Sequence, residues 1–542
     1  MVTWLKDSVF YQIYPTSFYD SNGDGIGDFN GIVEKLGYIK ELGVNAIWLN
    51  PFYPSPFMDG GYDVSDYRAV DPRFGTLEDF CNLVSACKRE GIRVVIDLVI
   101  GHTSVEHEWF KSSASDQRNR YSDYYIWTDN NLNKYRDRTI HGLYPRDGGY
   151  YINYYACQPA LNYGFNDVEE GRDEEDNYSL GTRWQMHYTD ERLEPLRREI
   201  LGIMRFWLKT GIDGFRVDLA NSLVKGCVYN SDDDADTKGL QWLWKRLLDP
   251  IRAEYPECVF ISEWVYAKNA VGKCGFDVDF YSHDIVGYND LFRNEKGSNL
   301  LPTFERGANW FSRAGQGTLD RFLTYYLDDL DAVQGKGYVS VPTGSHDQVR
   351  LSKSHDVSEL KAIYAFLLTL KHVPFLYYGD EIGLSHGVGL NKDGGYVRTG
   401  ARTPMQWTNG KNRGFSDAEE IYLPVNDAEE QSVDRQIKDE NSLLSMVKRL
   451  IALRKEKSCL NADGKFETVS VGENGYPFVY RRSDANGELI VAINACAGAA
   501  RIPCYGKVLL SENARQEGDA VVLTGIGFAI MDGKSVEEKR AS

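Results

Sequence analysis

The sequence predicts an α/β protein: a (β/α)8 TIM barrel with an irregular lobe inserted after its third strand and a C-terminal antiparallel β domain. Three observations predict it. Amphipathic helical stretches alternate with short apolar strands, the pattern of parallel βα units covered on both faces. Residues 103–187 break that rhythm: they are rich in Tyr, Asn, Asp, Arg and Gly and lack apolar periodicity. Residues 461–542 alternate at period two, as in Leu489-Ile-Val-Ala-Ile493, and carry no long helical pattern. Residues 1–102 and 188–460 are left for the barrel, 103–187 for the lobe and 461–542 for a β-sandwich.

The elements follow in order. Residues 8–15 read as the first strand. Residues 29–42 place Ile32, Leu36, Ile39 and Leu42 on one helical face, and Gly43 stops the helix. The strand 45–50 follows and ends at Pro51. In 76–90, Phe80, Leu83, Val84 and Cys87 repeat the helical spacing, and Gly91 leads into the strand 92–97. Helical patterns at 191–210, 238–254 and 357–371 precede strands at 215–218, 259–263 and 375–380; a further strand is read at 338–344. These seven candidates are one short of a closed barrel of about eight strands. The rival, a doubly wound open sheet, wants a Gly-rich phosphate loop after its first strand, and no GxGxxG stands there.

Composition narrows the function. The 542 residues carry 61 Lys+Arg against 79 Asp+Glu, a formal charge of −18. That balance disfavours nucleic acid and anionic membrane surfaces as partners. Hydrophobic residues make up 42% and aromatics 13%, enough for a large core and against disorder. No run approaches the roughly 18–20 apolar residues of a membrane span, and the first residues lack a signal-peptide pattern. Nine cysteines without a CxxC pair read as reduced thiols of a cytoplasmic protein. The acidic runs 169–176 and 231–236 read as solvated loops.

Several strands end in ionisable groups: Asp97 with His102, Arg216 with Asp218, Glu263, and His346 with Asp347. In a barrel these ends share one rim, where active sites form. Converging carboxylates suit glycoside cleavage, which needs one anion and one proton donor. Arg216 lies two residues before Asp218 and so on the same strand face, where its cation would keep Asp218 ionised. Trp264 beside Glu263 would raise that acid, and His102 and His346 can donate to sugar hydroxyls.

These segments resemble the α-amylase family of glycoside hydrolases, the large retaining family 13. The matching runs are Asp97-Leu-Val-Ile-Gly-His102, Gly214-Phe-Arg-Val-Asp218, Ile261-Ser-Glu263, Ser345-His-Asp347 and, in the lobe, Gln158-Pro-Ala-Leu-Asn162. Gly61-Tyr-Asp-Val-Ser-Asp-Tyr67 and Arg402-Thr-Pro-Met-Gln-Trp407 are similar to the oligo-1,6-glucosidase/α-glucosidase branch, which includes trehalose synthases. The resemblance implies Asp218 as nucleophile, Glu263 as general acid/base and Asp347 as the third carboxylate. It implies Tyr62, Asp63, His102, Arg216 and His346 around the non-reducing glucose, with Asp63 paired to Arg402 to close the site beyond it. Exo action on short α-glucosides follows. A trehalose synthase-like or transglycosylating enzyme, an endo-acting α-amylase and a non-catalytic binding protein are the alternatives.

The run Asp20-Ser-Asn22-Gly-Asp24-Gly-Ile26-Gly-Asp28 places oxygen donors every second residue, which suits a hard cation. The resemblance implies one structural calcium, with magnesium as the alternative, held by Asp20, Asn22, Asp24, the Ile26 carbonyl and Asp28. Gly101, Ala160 and Ser345 depart from the usual family residues. Leu219, after the nucleophile, leaves the linkage preference open.

Overall fold

The computed structural model describes residues 1–132, 137–168, 184–228, 230–281, 287–293, 295–296, 303–304, 309–426, 428–472 and 475–533. The acidic run 169–176 lies outside these, as do parts of the lobe and the last nine residues of the C-terminal domain.

Eight parallel strands form one sheet: β1 (Phe10–Ile13), β2 (Ala46–Leu49), β3 (Arg93–Leu98), β4 (Gly214–Val217), β5 (Val259–Ser262), β6 (Val278–Phe280), β7 (Tyr338–Ser340) and β8 (Phe375–Tyr377). Their order runs from β7 through β6, β5, β4, β3, β2 and β1 to β8. Backbone bonds from Val373 N to Val339 O (3.1 Å) and from Thr343 N to Phe375 O (3.1 Å) bring β7 and β8 together and close the ring. The strand that sequence reading missed is β6. It is three residues long with Asp279 at its centre, so no apolar run announces it.

Strand alternation sorts side chains between two cores. Phe10, Ala46, Trp48, Val95, Ile261, Phe280 and Phe375 fill the barrel interior, with Phe10 stacked on Phe375 at 4.2 Å. Their neighbours, such as Tyr11, Ile13, Ile47 and Ile96, face the surrounding helices. The predicted helix 29–42 is two pieces, Phe29–Glu34 and Leu36–Leu42, parted at Lys35; Gly43 ends the second at φ +95. The other helices are Leu77–Arg89, Glu194–Leu208, Asp234–Glu254 and Val357–Thr369. The run 231–236 is only half a loop: Asp233 caps the helix that starts at Asp234, and acidic residues there complement the helix dipole.

In the lobe, Tyr124, Tyr125, Trp127, Tyr150 and Tyr151 are buried and pack its core. The C-terminal strands β9 (Lys465–Val471), β10 (Phe478–Asp484), β11 (Gly487–Asn494), β12 (Ala500–Pro503), β13 (Lys507–Glu517) and β14 (Ala520–Asp532) are joined by antiparallel pairing into one connected network. Within it, β14 pairs with β13 on one side and with both β11 and β12 on the other. Buried Arg482 of β10 ties this domain to the barrel by donating to the Thr369 carbonyl at 2.6 Å. All nine cysteines are free. Among the described residues no helix is long and apolar enough to cross a membrane.

Candidate active site

The C-terminal ends of the strands open into one pocket lined by Asp59, Tyr62, His102, Arg216, Asp218, Glu263, His346, Asp347 and Arg398, with Trp48, Phe280 and Phe375 beneath. Register explains the convergence. Asp97 pairs with Arg216 across β3 and β4, and Val217 with Ser262 across β4 and β5. Asp218 and Glu263 are the next residues on those two strands, so they leave the sheet side by side.

Arg216 organises three carboxylates. Its Nη1 donates to Asp97 Oδ1 (2.6 Å) and Asp218 Oδ1 (2.9 Å), and its Nη2 meets Glu263 Oε2 (2.8 Å). Glu263 Oε2 also accepts the Leu219 amide at 3.0 Å. That amide is aimed by a left-handed turn, with Leu219 at φ +42, a conformation non-glycine residues hold at a cost and mostly at functional sites. One guanidinium shared three ways does not hold Asp218 low, as the sequence led us to expect. Burial and the Glu263 charge push Asp218 well above the usual carboxylate range, against the pull of Arg216. Protons in such a set belong to the group of carboxylates rather than to one of them.

Asp347 is governed differently. Burial would raise it, but His346 (3.1 Å), Arg398 (2.8 Å) and Arg402 (2.9 Å) surround it and hold it well below the usual range. His346 lies under Tyr62, ring centroids 5.1 Å apart and nearly parallel. Gln12 Nε2 donates to His346 Nδ1 at 2.9 Å, which leaves Nε2 to face Asp347 as the donor. His102 is buried, its pKa pushed down to about 4. Its Nε2 donates to the Tyr62 carbonyl at 3.0 Å, and its Nδ1 accepts from Asn153 at 3.2 Å. Asn153 in turn accepts from the ammonium of Lys225 at 3.0 Å.

Two expectations are corrected. Asp63 does not pair with Arg402. Its carboxylate accepts Ser55 Oγ (2.9 Å) and the amides of Met58 (2.9 Å) and Asp59 (3.1 Å), so it ties a turn together behind the pocket. Asp59 is the carboxylate that faces the cavity, and its partner is Arg398 at 3.1 Å, with Gln158 donating at 2.8 Å. Arg402 supports Asp347 from behind and donates Nε to the His346 carbonyl at 3.0 Å. Sequence reasoning missed Asp59 and Arg398. The available signal was the glycine pair after Asp59: Gly60 at φ +56 and Gly61 at φ +99 turn the chain so that residue 59, not 63, reaches inward. Of the two arginines in 396–402, the lining one is Arg398.

The α-amylase catalytic-domain family matches residues 12–463. This chain belongs to the α-amylase family. It is a glycosidase of that family, its barrel is the family's catalytic domain, and its substrate is carbohydrate. The oligo-1,6-glucosidase of Parageobacillus thermoglucosidasius is 32% identical over 546 residues, covering 91% of this chain and 90% of its own. The trehalose synthase/amylase TreS of Mycolicibacterium smegmatis is 32% identical over 515 residues, covering 88% of this chain and 80% of its own. A solved structure of an inactive MutB double mutant in complex with isomaltulose matches with a TM-score of 0.80 at 26% identity, over 98% of this chain and 100% of that one.

The loop 20–28 lies apart from this pocket. Asp20 accepts the amides of Asn22 (3.1 Å), Gly23 (2.7 Å) and Gly25 (2.8 Å), and Asp28 accepts those of Ser21 (2.8 Å) and Gly31 (2.7 Å). Among the described residues no three acidic, His or Cys side chains converge closely enough to hold a metal. The donor chemistry, three carboxylates with one amide and one carbonyl oxygen, is that of a hard-cation loop.

Proposed function

We propose that the enzyme is a retaining, exo-acting α-glucosidase of short α-glucosides. The observation that carries this reading is the closed end of the pocket. Arg398 bridges Asp347 to Asp59, and Tyr155 reaches the same guanidinium at 3.1 Å. A wall there, with room for one sugar residue beyond the catalytic carboxylates, is what exo action requires.

Asp218 attacks the anomeric carbon while Glu263 gives its proton to the leaving oxygen, and the glycosidic C–O bond breaks. Water then gives a proton to the Glu263 carboxylate and displaces Asp218, so glucose leaves with its α configuration. The chemistry requires one anion and one proton donor from this pair. Asp218 and Glu263 grip the two terminal nitrogens of one guanidinium, in keeping with the roughly 5–5.5 Å spacing of retaining pairs. Asp347, kept anionic by three donors, faces the developing positive charge.

The test is a panel of maltose, isomaltose, sucrose, trehalose and starch, followed by chromatography and by anomer-resolved NMR. Glucose as its α anomer is expected from one or more disaccharides, with starch a poor substrate and Asp218→Asn inactive. Long fragments from starch, or new disaccharides in place of glucose, overturn the reading.

The loop 20–28 we assign to calcium, held by Asp20, Asn22, Asp24, the Ile26 carbonyl and Asp28, with magnesium the competitor. Binding exchanges some of the amide hydrogen bonds above for the ion. Calcium is expected to raise the melting temperature of EDTA-treated protein and not that of Asp24→Asn. Equal melting with and without calcium removes the site.

A further inference from the structure

Asp279 is the middle residue of β6 and stands opposite Ser262 on β5. It is fully buried. Its Oδ1 accepts Ser262 Oγ at 2.7 Å and the amides of Trp264 at 3.0 Å and Val265 at 3.3 Å; its Oδ2 accepts the Tyr266 amide at 2.8 Å. These four donors flank Glu263, one before it and three after. None is a cation, and burial pushes Asp279 up to about 7 in spite of them. A carboxylate set this deep without a counter-charge is costly, and here its acceptor oxygens are spent wholly on one stretch of chain.

That stretch is strained. Val265, a β-branched residue, sits at φ +66. Such a conformation persists only where its surroundings over-determine it, and amides converging on one carboxylate do so. The other flank of Glu263 is held separately: its amide donates to Val217 O at 3.0 Å, and its carbonyl accepts from Ala220 at 3.1 Å.

The structure assigns Asp279 as the positioning residue of the general acid/base: by gathering the amides of residues 264–266 and the Ser262 hydroxyl, it fixes where the Glu263 carboxyl meets the leaving oxygen. The inference rests on the reading of Glu263 as acid/base. Asp279 touches neither sugar nor water in the reaction. Its loss displaces the proton donor while leaving Asp218 and the closed end of the pocket in place.

A pair of substrates separates this from general damage. Maltose needs its leaving oxygen protonated; 2,4-dinitrophenyl α-glucoside does not. General acid/base catalysis contributes roughly 10²–10⁴-fold. Glu263→Gln, the reference, is expected to lose about that much on maltose and far less on the aryl glucoside in the bond-breaking step, with azide restoring turnover. Asp279→Asn keeps the shape but sets an amide N–H against one of the chain amides. It is expected to show the same asymmetry, with a loss on the order of 10² on maltose, under about tenfold on the aryl glucoside, and the same azide rescue. Ser262→Ala removes one donor and is expected to show the pattern more weakly. Equal losses on both substrates in Asp279→Asn, or no loss, overturn the inference. If that variant does not fold, Ser262→Ala decides: a loss blind to the leaving group, or none, overturns it. If Glu263→Gln itself shows no asymmetry, the acid/base reading fails instead, which keeps the two failures apart.

Discussion

Replacing Arg398 by methionine tests how the pocket is closed. The change removes a hydrogen bond of 2.8 Å to Asp347 and one of 3.1 Å to Asp59. Asp347 retains Arg402 and His346. Asp59 does not fare as well: it is 5% exposed, and its remaining side-chain donor is Gln158 at 2.8 Å. Burial already raises Asp59, with Arg398 the larger of the two arginine influences opposing it. Without Arg398 the buried carboxyl keeps only Gln158 and the weaker pull of Arg402, and removing one partner of a buried pair costs roughly 3–5 kcal/mol. If about 3 kcal/mol of that falls on the transition state, kcat/KM drops on the order of 10²-fold, at about 1.4 kcal/mol per decade. Asp59→Asn alone strands the guanidinium less, because Asp347 still holds it, so its loss is expected to be smaller. The double variant removes both charges and leaves neither stranded. Its loss is therefore expected to fall short of the sum by at least about 1.5 kcal/mol, a coupling typical of groups in contact. The assay is kcat/KM on the best disaccharide for the four proteins of the cycle, each checked for its melting temperature. Single losses that add within about 0.5 kcal/mol in the double variant refute the pair.

Asp63→Asn is expected to lower the melting temperature and to cost less kcat/KM than Asp59→Asn, since Asp63 ties the 55–59 turn rather than lining the cavity; the reverse ranking in steady-state kinetics returns the sugar-binding role to Asp63. Burial pushes Glu381 up to about 7 from 4.5, against the hydroxyls of Tyr38 and Tyr11. A carboxyl raised by folding adds stability below its unfolded value and loses it as pH climbs through the folded one, here up to about 3 kcal/mol between pH 4.5 and 8. Glu381→Gln is expected to gain stability relative to the parent over that window, read as a melting-temperature difference that changes with pH; parallel profiles refute it.

How much of this was legible follows from what each feature depends on. The helix–strand alternation and the acids at strand ends are properties of residue type and spacing. Asp97 stands one residue before the end of β3, Asp218 and Glu263 just past the ends of β4 and β5, and parallel register carries them to one rim. The strand β6 was hidden because its centre, Asp279, is chosen to accept amides rather than to be apolar. How the C-terminal strands pair depends on β14, which takes β13 on one edge and both β11 and β12 on the other, and period-two alternation does not encode that choice. Resemblance located the segment 61–67 and so pointed to Asp63, not to Asp59 just before it, because which carboxylate faces the sugar is set by the positive φ of Gly60 and Gly61.

The glycines that make the choice can be tested directly. Gly60 has φ +56, and a Cβ built there lies 2.4 Å from Nη1 of Arg402. Alanine at this position meets two penalties: a left-handed backbone, at about 1–2 kcal/mol, and the displacement of an arginine that supports Asp347. Gly43 offers the comparison. It also sits in the left-handed region, at φ +95, and a Cβ there meets only Ile451 at 2.9 Å, at the end of a helix away from the pocket. Both substitutions are therefore expected to lower the melting temperature, but only Gly60→Ala to lower kcat/KM, by more than about tenfold, because the strain there is discharged into Asp59 and Arg402. If the two variants lose catalytic efficiency equally, backbone strain acts through stability alone, and the glycine pair is not what turns Asp59 toward the substrate.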